Sequence, residues 1–219
     1  MKRYANAKDW RMTKSLLTPG SLVWSMVFGV VLLWSVIQPF DPFIWWLEVT
    51  PALIAAAVLL LTRRRFPLTT LAYVLILMHA IILMIGGHYT YAQVPLFDWL
   101  AEVFHWQRNN YDKVGHIAQG FVPAILAREI LLRYRVVSGQ IWLGFIVLCI
   151  CLAISALYEV VEWWVALITE SGAELFLATQ GDVWDTQSDM AWALLGAILA
   201  LVSLSRWHDR QLQHRLAST

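Results

Sequence analysis

The residues best suited to chemistry fall into three short groups. The first begins Asn109-Asn110-Tyr111-Asp112-Lys113-Val114-Gly115-His116 and continues to Gln119 and Pro123. Asp112, His116, Gln119 and Pro123 therefore follow one another at i, i+4, i+7 and i+11, one stripe of an α-helix. The second group holds Ser155, Glu159 and Glu162 at i, i+4 and i+7. The third runs from Gln180 to Asp189 and spaces Asp182, Asp185 and Asp189 at i, i+3 and i+7, one face if the segment is helical. An imidazole oriented by a carboxylate is an acid–base pair, so Asp112, Lys113, His116, Glu159 and Glu162 are the candidates for catalysis. Carboxylates sharing one face suit a divalent cation, which takes oxygen ligands and keeps waters that a phosphate can replace. Asp182, Asp185, Asp189 and Glu159 are the candidate metal ligands, for magnesium, calcium or zinc. Arg108, Lys113, Tyr111, Gln119 and Trp184 are candidates for holding an anionic headgroup.

What must position these groups is a membrane scaffold. The chain has 219 residues, of which 59% are hydrophobic and 14% charged, with a mean hydropathy of +0.60. Soluble domains carry about 25% charged residues, so a water-facing globule, a disordered chain and a nucleic-acid partner are all excluded. Six apolar blocks, at about 21–37, 43–61, 68–86, 114–132, 141–168 and 190–204, approach the roughly 20 helical residues that cross a bilayer. Backbone groups in lipid must be satisfied within the segment, which makes these blocks helices. The fold expected is all-α, a polytopic transmembrane bundle of six helices in a single domain, 1–219. Residues 1–20 form an N-terminal segment and 205–219 a tail. Within the longest connection, 97–104 mixes apolar and acidic residues as a short helix lying on a membrane surface does.

Orientation follows from the basic residues. With the N-terminus inside, fourteen of the sixteen Lys and Arg fall in inner segments, and only Arg108 and Lys113 fall outside. The positive-inside rule then places both termini in the cytoplasm. Twelve of the fifteen carboxylates take the other side, which makes the acidic and imidazole cluster outward-facing. Trp45, Trp46, Trp99, Trp106, Trp163, Trp164 and Trp184 mark the same outer interface. Glu129 and Arg133 read as an i, i+4 pair at the inner interface, and His79 as an interhelical hydrogen-bonder. Cys149 and Cys151 point to nearly opposite sides of one helix, so they cannot bridge each other and read as packing residues.

A charged residue at a helix centre costs about 2.5–3.5 kcal/mol, so ionisable groups inside a bundle are a functional expectation in themselves. Three functions fit. The leading expectation is action on, or binding of, a lipid-linked or phosphate-bearing ligand at the outer leaflet with a divalent cation. A non-catalytic envelope protein that binds a lipid, a metal or a partner also fits. A proton- or cation-linked transporter is the third, although paired repeats and broken helices are not evident.

The runs Asn110-Tyr111-Asp112-Lys113-Val114-Gly115-His116-Ile117-Ala118-Gln119-Gly120, Tyr158-Glu159-Val160-Val161-Glu162-Trp163-Trp164 and Thr179-Gln180-Gly181-Asp182-Val183-Trp184-Asp185-Thr186-Gln187 resemble the YjdF-like family of bacterial inner-membrane proteins over most of the chain. The resemblance implies a multi-pass inner-membrane location and brings no activity with it. A second similarity is to the VanZ-like membrane proteins, associated with resistance to glycopeptide antibiotics. It rests on Asp112, Lys113 and His116, then Glu159, then Asp189 and Gly196. Ala193 stands where that pattern has an Asn.

Overall fold

The computed structural model describes residues 18–168 and 178–217, with side chains as far as residue 214. Among the described residues there are seven α-helices: α1 (Pro19–Val36), α2 (Pro42–Thr62), α3 (Thr70–Tyr89), α4 (Pro95–Phe104), α5 (Tyr111–Tyr134), α6 (Gln140–Ile168) and α7 (Asp185–Ala217). A short 3-10 turn, Tyr91–Gln93, precedes α4.

Local chemistry sets several of the helix starts. Thr18 caps α1 ahead of Pro19. Asp41 Oδ1 accepts from the backbone N–H of Phe43 (2.7 Å) and Ile44 (3.0 Å) ahead of Pro42. Thr69 Oγ1 accepts from the N–H of Ala72 at the start of α3. Each such cap satisfies donors the helix leaves free, and is worth about 1 kcal/mol.

The expected count of six helices is corrected to seven, because the connecting segment at 97–104 lies in the helix α4. Five helices, α1, α2, α3, α6 and α7, are long and apolar enough to cross a membrane. The expected fourth span, α5, is not among them. It carries Asp112, Lys113, Arg128, Glu129 and Arg133, and fourteen of its 24 residues are buried. The physical reason is position. Helix α5 packs against α3, α6 and α7, so protein surrounds it, whereas α1 lies at the edge of the bundle with Ser35 alone buried. The expectation of two cytoplasmic termini falls on residues 1–17, 218 and 219, outside the described residues, and the fold does not assign their side.

Helices α5 and α7 cross closely. A Cβ on Gly120 would fall on the backbone carbonyl of Ala193, and a Cβ on Gly196 on that of Ile117. Small residues at such a crossing let two backbones touch, which is how helices pack when lipid removes the hydrophobic drive. Asp112, His116 and Gly120 lie at i, i+4 and i+8, while Asp189, Ala193 and Gly196 lie at i, i+4 and i+7. The crossing therefore fixes the polar faces of both helices opposite each other one to two turns away.

At the other end of α5 a second polar network ties three helices together. Glu129, fully buried, accepts from Thr69 N (3.0 Å), Thr69 Oγ1 (2.7 Å) and Arg133 Nη1 (3.0 Å). Arg128 Nη1 donates to His208 Nδ1 (3.0 Å), so His208 Nε2 carries the proton donated to Glu129 Oε2 (3.1 Å). Arg128 Nη2 also donates to Asp209 (2.9 Å), and Gln211 accepts from Leu71 N (3.0 Å). The Glu129–Arg133 pair exists as expected, but as part of a buried interior lock.

Candidate metal centre and adjoining cavity

The start of α5 is held by side chains rather than by a capping carboxylate. Asn109 Oδ1 accepts from Tyr111 N (3.0 Å), and Asn109 Nδ2 donates to Asp98 (2.7 Å) and to the Val94 carbonyl (3.0 Å). Gln180 clamps the same residue: its Oε1 accepts from Asn109 N (3.0 Å) and its Nε2 donates to Asn109 O (2.9 Å). Residues 178–184 are thereby seated over the first turn of α5.

Within that frame Asp112, His116 and Asp189 converge. His116 Nε2 lies 3.3 Å from Asp112 Oδ1 and 3.6 Å from Asp189 Oδ2. One ligand atom from each of the three residues lies within 4.8 Å of the others, and all three residues are buried. His116 Nδ1 lies 3.2 Å from Gln119 Oε1; in the neutral tautomer with the proton on Nδ1, Gln119 accepts it and the Nε2 lone pair turns toward the two carboxylates. In that tautomer three electron-pair donors face one another, an arrangement that a metal cation or a proton in their midst stabilises. The cluster can coordinate a divalent metal.

The neighbouring charges are arranged around this triad. Lys113 Nζ donates to Asp189 Oδ1 (2.6 Å) and Asp185 Oδ1 (3.2 Å). Arg108 donates to Asp185 Oδ1 (2.6 Å), to the Thr179 and Ala178 carbonyls (3.1 Å each) and, at 3.5 Å, to Asp182. Asp189 thus gives one oxygen to Lys113 and turns the other to His116. Asp112 Oδ2 stands 3.7 Å from Arg108 and 3.8 Å from Lys113 and accepts no hydrogen bond. Glu159 is buried beside His116, with its Oε1 3.9 Å from Nδ1 and unbonded. Glu162 is buried one turn along α6.

Other sequence candidates sit elsewhere. The three aspartates of the third group do not share one helical face. Gln180 and Gly181 take positive φ (48° and 86°), and Asp182 lies in the turn before α7 begins at Asp185. Its Oδ1 accepts from Trp184 N (2.9 Å). Tyr111 is buried, its hydroxyl donating to the Ile82 carbonyl (2.9 Å). Trp184 is exposed, as are Trp46, Trp99, Trp106, Trp163 and Trp164, whereas Trp45 is buried and donates to Ser35 Oγ (3.1 Å).

The expectation of an outward-facing cluster is corrected: the cluster is enclosed. Charge asymmetry along a sequence reports which side a residue takes and carries no information on depth, and here Arg108 and the 178–184 segment cover the triad. With the triad buried inside the bundle, nothing supports a surface for a lipid-linked or phosphate-bearing ligand at the outer leaflet.

A cavity of about 160 Å³ adjoins the triad and shares Asp112 and His116 with it. Pro51 of α2 and Pro123 of α5 line it, and each lacks the N–H that an unbroken helix would donate to the carbonyl four residues earlier. Glu48 also lines it, a lone carboxyl in the apolar run of α2, with Tyr158 Oη donating at 3.5 Å. Glu48 was legible as an isolated acid in an apolar block, and sequence reasoning passed over it. Tyr91 forms another part of the wall, and burial, with Glu48 nearby, pushes its phenol well above the usual range.

Fold and site together define a multi-pass helical membrane protein with a polar, metal-competent site buried within its bundle. The chain belongs to the family described as "Predicted membrane protein (DUF2238)", which it matches over residues 20–210. Over 189 residues it is 51% identical to the Inner membrane protein YjdF of Escherichia coli, covering 86% of this chain and 90% of that protein. No solved structure matches it. It is accordingly a multi-pass protein of the bacterial inner membrane.

Proposed function

We propose that this protein is a non-catalytic membrane protein that binds one divalent cation on Asp112, His116 and Asp189. The observation that carries the reading is the convergence of two carboxylate oxygens on His116 Nε2, at 3.3 and 3.6 Å, with Gln119 bonded to the far ring nitrogen. Zinc is the preferred ion of the three considered. Tetrahedral zinc with ligands near 2.0–2.1 Å sets neighbouring donors about 3.3 Å apart. An imidazole ligand also favours zinc over magnesium or calcium, which take oxygen. Three protein ligands leave a position open for water or another ligand. Asp182, Asp185 and Glu159 act from outside this set. Asp182 and Asp185 hold Arg108, and Asp185 with Asp189 holds Lys113, so both cations are drawn to one side of the triad.

The rival is a proton on Nε2, which would turn the ring into an imidazolium bridging two aspartates. Equilibrium dialysis of the purified protein against zinc separates the two accounts. The proposal expects one ion per chain, and loss of that ion in Asp112→Asn/Asp189→Asn with helical content unchanged. Wild type holding no more zinc than the double variant would establish the proton-bridged form instead.

A further inference from the structure

We infer that the cavity beside the triad is a binding site in its own right, for a small organic cation bearing a protonated amine. Three carboxyl groups line it, those of Glu48, Asp112 and Glu162, together with His79 and His116, the latter 3.3 Å from Asp112, and no Lys or Arg does. All three residues are more than nine-tenths buried, with relative exposures of 4%, 6% and 8%. Their partners are few. Asp112 Oδ2 accepts no hydrogen bond, Glu48 accepts one long bond from Tyr158 at 3.5 Å, and Glu162 accepts none among the described residues. Carboxyl groups buried with so few donors are stabilised by protonation or by a positive charge at their side, and a cation that enters the cavity meets three of them.

The size and the walls choose the kind of cation. A water's share of liquid volume is about 30 Å³, so 160 Å³ holds about five non-hydrogen atoms. Beside the carboxyl oxygens, Tyr91, Tyr158 and Leu83 supply aromatic and aliphatic wall, which a hydrated inorganic cation does not use. An ammonium group gains from ring faces, and its alkyl portion gains from burial against Leu83. The wall is also built with care. A Cβ on Gly86 would fall on the Tyr91 ring, and one on Gly115 would come within 2.7 Å of it, so two helices give up side chains to seat that ring. Thr90, the residue before it, is held at φ +61° and ψ 147°, a conformation that costs a β-branched residue strain.

The experiment is a calorimetric titration of the full-length protein in detergent with n-butylammonium, using 1-butanol, sodium and potassium as comparisons. Saturable one-to-one binding of butylammonium is expected, without binding of butanol. It should weaken at least tenfold in Glu48→Gln/Glu162→Gln, and be lost in Leu83→Trp, which fills the space and keeps the carboxyl groups. Zinc content, measured on the same samples, should be the same in wild type and both variants, so failure of the amine site and failure of the metal site are read separately. Absence of butylammonium binding overturns the inference, as does equal binding of butanol. Displacement by sodium or potassium would make this an inorganic cation site, and binding unchanged in the double Gln variant would make it adventitious. Either result also overturns it.

Discussion

Gly120→Ala tests whether the crossing of α5 and α7 sets the geometry of the triad. The added methyl would coincide with the Ala193 carbonyl oxygen and stand 2.6 Å from its carbon and 3.0 Å from its Cα. All three are backbone atoms, so no side chain can swing aside. Restoring ordinary contact at about 3.5 Å requires the helices to part by on the order of 1–2 Å. Overpacking of this kind costs about 1–3 kcal/mol. Parting also stretches the 2.6 Å contact of Lys113 with Asp189, although Lys113 keeps Asp185 at 3.2 Å. A loss of about 1–3 kcal/mol is therefore expected in reversible unfolding of the detergent-solubilised protein, together with weaker zinc retention. Gly144 of α6 has nothing within 4 Å of a built Cβ, so Gly144→Ala should be neutral or slightly stabilising, by at most about 1 kcal/mol. If Gly120→Ala unfolds at the same point as Gly144→Ala, the crossing does not hold the site.

Thr90→Gly should stabilise the protein by about 1 kcal/mol, since it relieves strain of about 1–3 kcal/mol and removes a buried, unbonded hydroxyl while adding about 0.5–1 kcal/mol of glycine entropy; thermal unfolding would show it, and a lower midpoint would contradict it. Glu129→Leu leaves Arg133 and His208 without their shared carboxylate and should cost about 3–5 kcal/mol, measured the same way, with a loss under 1 kcal/mol refuting the lock. Gln119→Leu removes the acceptor on His116 Nδ1 and should weaken zinc affinity about 10- to 100-fold with stability little changed; an unaltered affinity would show that the ring is oriented by something else.

Much of the scaffold was legible because lipid imposes long apolar helices, and because Asp41 with Pro42 and Thr69 with Thr70 mark helix starts in the local sequence. The stripe Asp112, His116 and Gln119 was equally legible, since an i, i+4, i+7 pattern survives whatever packs against it. The partnership with Asp189 rather than Asp182 was not. It depends on where α7 begins, which is decided by two residues at positive φ, Gln180 and Gly181. The central place of α5 was obscured because a helix solvated by other helices need not be apolar. Depth was obscured because Arg108 reaches across some seventy residues of sequence to close the site, with bonds to the Ala178 and Thr179 carbonyls and to Asp185. His208 and Arg128 form their buried pair at a separation of 80 residues, for which local spacing holds no signal.

The most direct test of the metal centre is the zinc X-ray absorption spectrum of the purified protein after dialysis against that ion. The account predicts one zinc per chain in a shell of nitrogen and oxygen at about 2.0–2.1 Å, with no sulfur at about 2.3 Å. Multiple scattering from one imidazole should appear in wild type and vanish in His116→Ala. A spectrum of fully hydrated zinc, or one unchanged by the His116 substitution, would contradict the assignment of Asp112, His116 and Asp189 as the ligands.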